Sequence, residues 1–491
     1  MFSNSKQMIQ QIRQDFERLI EYVSGEGSQT RTAYEVELTL FRQLLALGRQ
    51  LLLLFFQHRA AQRPKEPVHA PDGTPLPYHS MRPTSYYSVF GKVQFQRRYY
   101  YAPGHGGICP LDAKLSLPAR CYSDLLREWT QYCITDESYA ESIHMLKRIL
   151  GLSISKQALE TSIQEDAIDV DSFYDQKPVP PPETEGLILV LQADGKGVPM
   201  VRDEPACPPA CRGKGQKRTK KKEAIVTAIY TINPYHRTPE QVVKALMAAE
   251  DGAVSSRPQR PVPKAKEVRA TLQGKDTALD RLALRVAQRD GDHIQHRVAL
   301  TDGAEALQKR VREKFHNFEL VLDIIHATEH LWDAANALLG ETHPERNSWV
   351  REQLLKILSG RTSEVIEVLQ KRAYEQSLST AQRRTLQATV GYYQRNLPYM
   401  RYDEYLSRGW PIGTGVVEGA CGHLVKDRFE RSGMRWTKSG AQSLLDLRAV
   451  HINDDWDGYH DFRRRCQHQR LYGFRETVSP RAEAIVFGMA A

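Results

Sequence analysis

The stretch ILVLQADGKG, Ile188–Gly197, decides how the rest of the chain reads. Leu187 to Ala193 is a near-continuous apolar run, as expected of a strand covered on both faces. It ends on Asp194, followed by glycine. RVALTDG repeats the pattern, with a strand from His296 to Thr301 leading into Asp302 and Gly303. An acid at the carboxyl end of a strand lies where open α/β sheets bind ligands. Asp-Gly is also an ordinary turn dipeptide, so neither acid decides alone. A third acid, Glu418, follows a glycine-rich turn in GTGVVEGACGHLVKDR. Two hard cations about 3.5–4 Å apart need oxygen ligands from separate elements gathered at one sheet edge. Asp194, Asp302 and Glu418 fit that need. They imply metal-dependent phosphoryl transfer on DNA, by a nuclease or a strand-transfer enzyme.

Working outward, the pattern is α/β. Glu223 to Ile232 reads as a strand, 234–275 as a polar loop insertion, and Ala278 to Asp290 as a helix. Ala304 to Phe315 is a helix, Phe318 to Leu322 a strand, and Ile325 to Leu339 a helix again. Such alternation implies a mixed sheet flanked by helices. Residues 344–396 are charged and helical, and read as an all-helical insertion. Upstream, DQKPVPPPETEG (Asp175 to Gly186) holds four prolines and marks a domain boundary.

The expected organisation is a helical region and loop over 1–84, a small β module over 85–122 with a hairpin break at Gly91, and a helix-turn-helix-like DNA-binding region over 123–174. The linker 175–186 follows. The core comes in two parts, 187–340 and 401–450, around the helical insertion 341–400, and a tail covers 451–491. In the third region Ser155 is a candidate N-cap of the second helix, which could enter a major groove. Two ordinary packed helices would read the same way.

Other residues carry chemistry. Asp323 and His326 form Asp-x-x-His, on one helix face by their spacing. His326 could serve phosphate chemistry or orient water, a zinc site is a second reading, and a structural Asp–His pair a third. The basic loop supplies Lys214, Lys217, Arg218, Lys220, Lys221 and Lys222, which suit a nucleic-acid backbone. Beyond Glu418, Lys426, Arg428 and Arg435 could neutralise phosphates. Trp436 could stack on an extruded base or lie in the core.

Net charge is +9, a modest excess for 491 residues. Seven scattered cysteines argue against a disulfide framework and for a reducing cytosol. The polar N-terminus lacks a signal-peptide pattern. LLLLFF, Leu51 to Phe56, is far shorter than the roughly 20 residues that span a bilayer and reads as part of a buried helix. No membrane partner is expected.

LQADGKGVPM, LTDGAEAL, LDIIHATEHLWDAANAL and PIGTGVVEGACGHLVKDRFERSGMRW resemble the ISKra-type bacterial insertion-sequence transposases, within the Mutator-like DDE group. The resemblance spans roughly residues 85 to 460. It implies an RNase H-like catalytic core with an all-helical insertion, behind a mainly helical DNA-binding region that contains a small β module. Asp194, Asp302 and Glu418 then match the three metal-binding acids, and Asp323 and His326 the group's Asp-x-x-His element. YYAPGHGGICPLD keeps only Cys109 where related sequences carry cysteine pairs, so no zinc knuckle is expected there. Also implied are two Mg²⁺ ions (Mn²⁺ as substitute), terminal inverted repeats and target DNA as partners, a dimer or higher oligomer on DNA, and a cytoplasmic, nucleoid-associated location. A nuclease that cuts without joining and a catalytically silent DNA-binding descendant are the alternatives.

Overall fold

The computed structural model describes residues 2–201, 221–247 and 260–473. The chain divides into two compact units, one of Met1–Asp169 with Trp456–Ala491 and one of Val170–Asp455. The proline-rich segment 175–186 therefore lies inside the second unit and not between two domains. Within 451–491, expected to be a tail, Trp456–Tyr472 is a helix of the first unit.

In the first unit, helices Phe2–Ser24 and Ala33–Ala61 form a hairpin. Thr32 and Glu35 start the second helix with a capping box, each side chain accepting the other's backbone N–H. A three-stranded antiparallel sheet follows: β1 (Tyr78–Ser88), β2 (Gly91–Ala102) and β3 (Gly106–Ile108). Gly91, at φ +109, makes the tight β1–β2 turn. Phe56 stacks on Phe95 at 4.3 Å and, with Val93 and Leu117, forms the small core. The helix Ala33–Ala61 was expected to be buried. Only Phe56 and Ala60 are, while Phe41, Leu44, Leu51 and Phe55 are exposed. By length and composition it is apolar enough to cross a membrane.

Helices Asp124–Asp136, Tyr139–Leu150 and Lys156–Asp166 complete this part. Ser155 does cap the third helix, accepting the N–H of Ala158 at 3.2 Å. Buried Asp166 gathers Arg127, Gln131 and, from the returning C-terminal helix, Arg463.

The second unit is built on β4 (Ile188–Pro199), β5 (Lys221–Ile232), β6 (Lys264–Thr271), β7 (His296–Thr301) and β8 (Glu319–Leu322). Their order is β6-β5-β4-β7-β8. The β4–β5 and β5–β6 pairs are antiparallel, and β4–β7 and β7–β8 parallel. Two features depart from the expectation. β4 continues past Asp194 to Pro199, paired with β5 throughout. The stretch 234–275 is not a loop: it holds helix Pro239–Met247 and β6. β6, KAKEVRAT, is an edge strand, and edge strands carry charge on their open side, which is why it reads as polar. Its free edge is closed by side-chain amides. Asn453 bonds both the N–H and the C=O of Val268, and Gln442 accepts the N–H of Leu272.

Each face of this sheet has its own core. Leu189, Leu191, Ala299 and Leu320 pack with helices Lys275–Arg289 and Glu305–Lys314. Ile188, Val190, Val298, Leu300 and Val321 pack with helix Ile324–Leu339 and with a helical layer of Arg346–Leu358, Thr362–Ala373, Thr380–Asn396 and Tyr402–Ser407.

Candidate active site

Strand register places the acids. Gln192 of β4 pairs with Leu300 of β7, and Thr301 of β7 pairs with Leu322 of β8. One step beyond those rungs, Asp194, Asp302 and Asp323 stand level on three neighbouring parallel strands, spaced about 4.8 Å apart. Alternation assigns all three to the face of Val190, Leu300 and Val321, beneath the helical layer.

Asp323 is fully buried and already saturated. Its Oδ2 accepts the backbone N–H of His326 (3.1 Å) and the ring Nδ1 of His326 (2.7 Å), and its Oδ1 accepts the N–H of Thr414 (3.0 Å). It is also the N-cap of helix Ile324–Leu339. The hydrogen bond that His326 donates to Asp323, with the charges of Asp323, Glu329 and Asp302 behind it, raises the pKa of His326 to about 9 against the opposing effect of burial. Asp302 opens a tight turn. Its Oδ1 accepts the N–H of Ala304, its carbonyl accepts the hydroxyl of Tyr392, and Gly303 takes φ +88.

Glu418 lies on the short helix Gly415–Ala420, reached through the turn Pro411–Thr414. Two buried polar side chains pin that turn to the sheet. Gln192 donates to the carbonyl of Gly413 (3.2 Å) and accepts the N–H of Val417 (2.9 Å), and Asp323 takes Thr414 as described. The N–H of Ile324 adds a backbone bond to Ile412. Thr414 Oγ1 then donates to Glu418 Oε1 at 2.6 Å. The result is that ligand atoms of Asp323, His326 and Glu418 all lie within 4.8 Å of one another.

Asp194 joins this group from the other side. Cys421 Sγ, one helical turn beyond Glu418, donates to Asp194 Oδ2 at 3.3 Å. Burial, then the charge of Asp194, pushes the thiol pKa well up, so Cys421 stays protonated. The structure thus assembles Asp323, His326 and Glu418 tightly, ties Asp194 to the helix of Glu418, and sets Asp302 level between Asp194 and Asp323.

The flanking basic residues divide. Lys426 and Arg435 are exposed. Arg428 is buried, donating to Met434 Sδ beneath the ring of Trp436, so it cannot reach a phosphate. Trp436 is buried too. It packs on Phe429 and donates its indole N–H to the Phe429 carbonyl, which excludes base stacking in this conformation. The expected continuous basic helix is interrupted by a π-type turn, Cys421–Lys426, which rotates Arg428 inward. Lys221 begins β5 and pairs with Glu430 at 2.6 Å, and Lys222 follows it on the strand. Lys214, Lys217, Arg218 and Lys220 lie outside the described residues.

Gln192 and Tyr392 were not singled out from the sequence. Only Gln192 left a signal, as the one polar residue inside the Ile188–Ala193 run and two places from Asp194.

No protein-family model matches the chain. No curated protein matches it. Among solved structures the chain is similar to the Drosophila P element transposase strand transfer complex, at 9% identity over 72% of this chain and 82% of that one, with a TM-score of 0.25. A similarity that loose carries no weight for function, which rests on the side chains.

Proposed function

We propose that the chain is a DDE-type DNA transposase of a bacterial insertion sequence, built on an RNase H-like core. The strand arrangement supports the core: three antiparallel strands, then two more added parallel to the first on its other side. One observation carries the activity. Acids distant in sequence are brought to one sheet end, with Asp194 and Asp302 level on β4 and β7 and Glu418 pinned above them by Gln192 and Asp323.

The donor set suits Mg²⁺. Asp194, Asp302 and Glu418 offer partly exposed carboxylate oxygens, the ligands hard cations take. Asp323 is fully buried and Cys421 remains a thiol, so neither competes as a ligand. When bound, a cation pair in such a site activates water or a DNA 3′-hydroxyl and stabilises the leaving oxygen. The chain's own residues do the rest. Asp323 fixes the ring of His326 through Nδ1 and leaves Nε2–H to donate to a phosphate oxygen. Thr414 and Gln192 hold Glu418 in place. Exposed Lys426 and Arg435 meet the DNA backbone without reading sequence.

The test uses the full chain with Mg²⁺ and DNA containing the element ends that flank its gene. Cleavage at the ends, and joining of pre-cut ends to target DNA, are expected. Asp194→Asn should abolish both while DNA binding and melting temperature hold. Cleavage without joining would make the protein a nuclease on the same fold, and unchanged cleavage by Asp194→Asn would remove Asp194 from the site.

A further inference from the structure

One recess in the first unit is lined by cations with no acid among them. Arg59 comes from the last turn of helix Ala33–Ala61, Arg98 and Tyr100 from β2, and Lys114 from the short helix Pro110–Lys114. Gln62, just past the first of these helices, adds an amide. The space enclosed, mouth included, is about 380 Å³.

Three features set this group apart from an ordinary basic surface. First, Arg59, Arg98 and Lys114 form no ion pair among the described residues. Asp112, two residues before Lys114, is held instead by Arg97. Second, the Nε atoms of Arg59 and Arg98 are out of reach of water and bond nothing. A buried charged donor left unbonded is costly, so folds seldom keep one without a use for it. The helix dipole accounts for an arginine in a last turn, but not for a buried Nε without an acceptor. Third, Arg98 is steadied by aromatic rings. Its guanidinium lies 5.7 Å from the ring centre of Tyr78, which packs edge-on against Tyr100 at 5.9 Å. An arginine set against a ring keeps its in-plane N–H donors for an acceptor.

We infer that this recess binds inorganic phosphate or a phosphate monoester. Two guanidinium forks and an ammonium supply the charge-assisted donors that phosphoryl oxygens accept. Charge selects the class. A backbone phosphodiester brings one negative charge. A phosphate monoester brings about −1.5 to −2 at pH 7. Three uncompensated cations match the second. The inference is independent of the chemistry proposed for the acidic cluster.

Isothermal titration of the full chain with inorganic phosphate, in chloride buffer, tests it. One phosphate per chain is expected, with dimethyl phosphate, a monoanion, binding roughly tenfold or more weakly. Arg59→Gln and Arg98→Gln should each lower phosphate affinity by roughly ten- to a hundredfold, the effect of losing one charge-assisted hydrogen bond. Arg361→Gln, at an exposed arginine of the second unit, should leave it unchanged. Each of the first two substitutions removes one of three like charges, so melting temperature without phosphate should hold. Phosphate should raise it in wild type and not in the double variant. Oligonucleotides ending in a 5′-phosphate or a 5′-hydroxyl then compete with phosphate to find the source of the group. Displacement by the phosphorylated one alone assigns the recess to a DNA end, and displacement by neither assigns it to a small phosphate. Both outcomes support the site. Displacement by the two alike, absence of saturable phosphate binding, or binding indifferent to Arg59→Gln and Arg98→Gln overturns the inference.

Discussion

The carboxylate of Asp323 accepts the backbone N–H of Thr414 at 3.0 Å, across 91 residues of chain. Through it the end of β8 holds the turn that carries Glu418. The same carboxylate holds His326, so one buried acid positions two members of the cluster. Asp323→Ala strands two backbone donors and the imidazolium, and should cost about 3–5 kcal/mol in chemical denaturation. Because the pKa of His326 is raised from 6.5 to about 9, the pair's stabilisation is complete below pH 6.5 and lost as pH rises through about 9. Denaturation of wild type and His326→Ala in EDTA should therefore show a stability gap that closes across that interval. A gap independent of pH would mean the ion pair is not formed.

His326→Ala should also lower cleavage far more than it lowers melting temperature. A variant that fails to fold would point to a core role.

Gln192 is fully buried and bonds Val417, Gly413 and Tyr230. Gln192→Leu keeps most of the volume but strands the N–H of Val417 and the C=O of Gly413, at a cost of about 2–4 kcal/mol. Glu418 should lose its position with the turn. The expected signature is cleavage depressed well below the level set by the folded fraction at the assay temperature. Activity that simply tracks folding would make Gln192 a core residue only.

Lys426 and Arg428 are two residues apart, yet one is exposed and the other buried. Lys426→Ala should weaken DNA binding and flatten the slope of log affinity against log salt by about one unit. Arg428→Ala should lower melting temperature and leave the slope unchanged in the folded protein. Equal slopes for wild type and Lys426→Ala would remove Lys426 from the interface.

His460 sits beside Trp456 and Tyr459 with both ring nitrogens buried and unbonded. Burial, then the nearby Arg463, Arg464 and Arg127, lowers its pKa to about 2. The unfolded chain takes up this proton near pH 6.5 and the folded chain does not. Stability is thus kept above pH 6.5 and lost at up to about 1.4 kcal/mol per pH unit below it. His460→Phe should make the acid limb of the stability profile shallower. An unchanged limb would show that His460 does not titrate on unfolding.

Where local pattern determines local structure, the sequence was legible. The strand at His296–Thr301, the hairpin at Gly91 and the cap at Ser155 were all readable because each depends on neighbours in the chain. β6 was not, since an edge strand need not be apolar. The orientation of Arg428 was not either, because it depends on a π-type turn that leaves no periodic trace. Within the site, Asp302 could be picked from a strand end and Glu418 from a glycine-rich turn, whereas Asp194 lies inside β4 and not at its end. What joins them, Gln192 and Asp323 reaching to the Pro411–Thr414 turn, is set by tertiary contacts across more than ninety and more than two hundred residues.

The first unit draws its last helix, Trp456–Tyr472, from the far end of the chain, and Arg463 on that helix completes the partners of Asp166. During synthesis the N-terminal part must wait while the whole second unit is made, on the order of 15–60 s at roughly 5–20 residues per second. Any nascent product cut short before Trp456 would leave Asp166 short of a cation and the unit open. Completion of the first unit is therefore tied to translation reaching Tyr472, at the far end of the second unit's sequence.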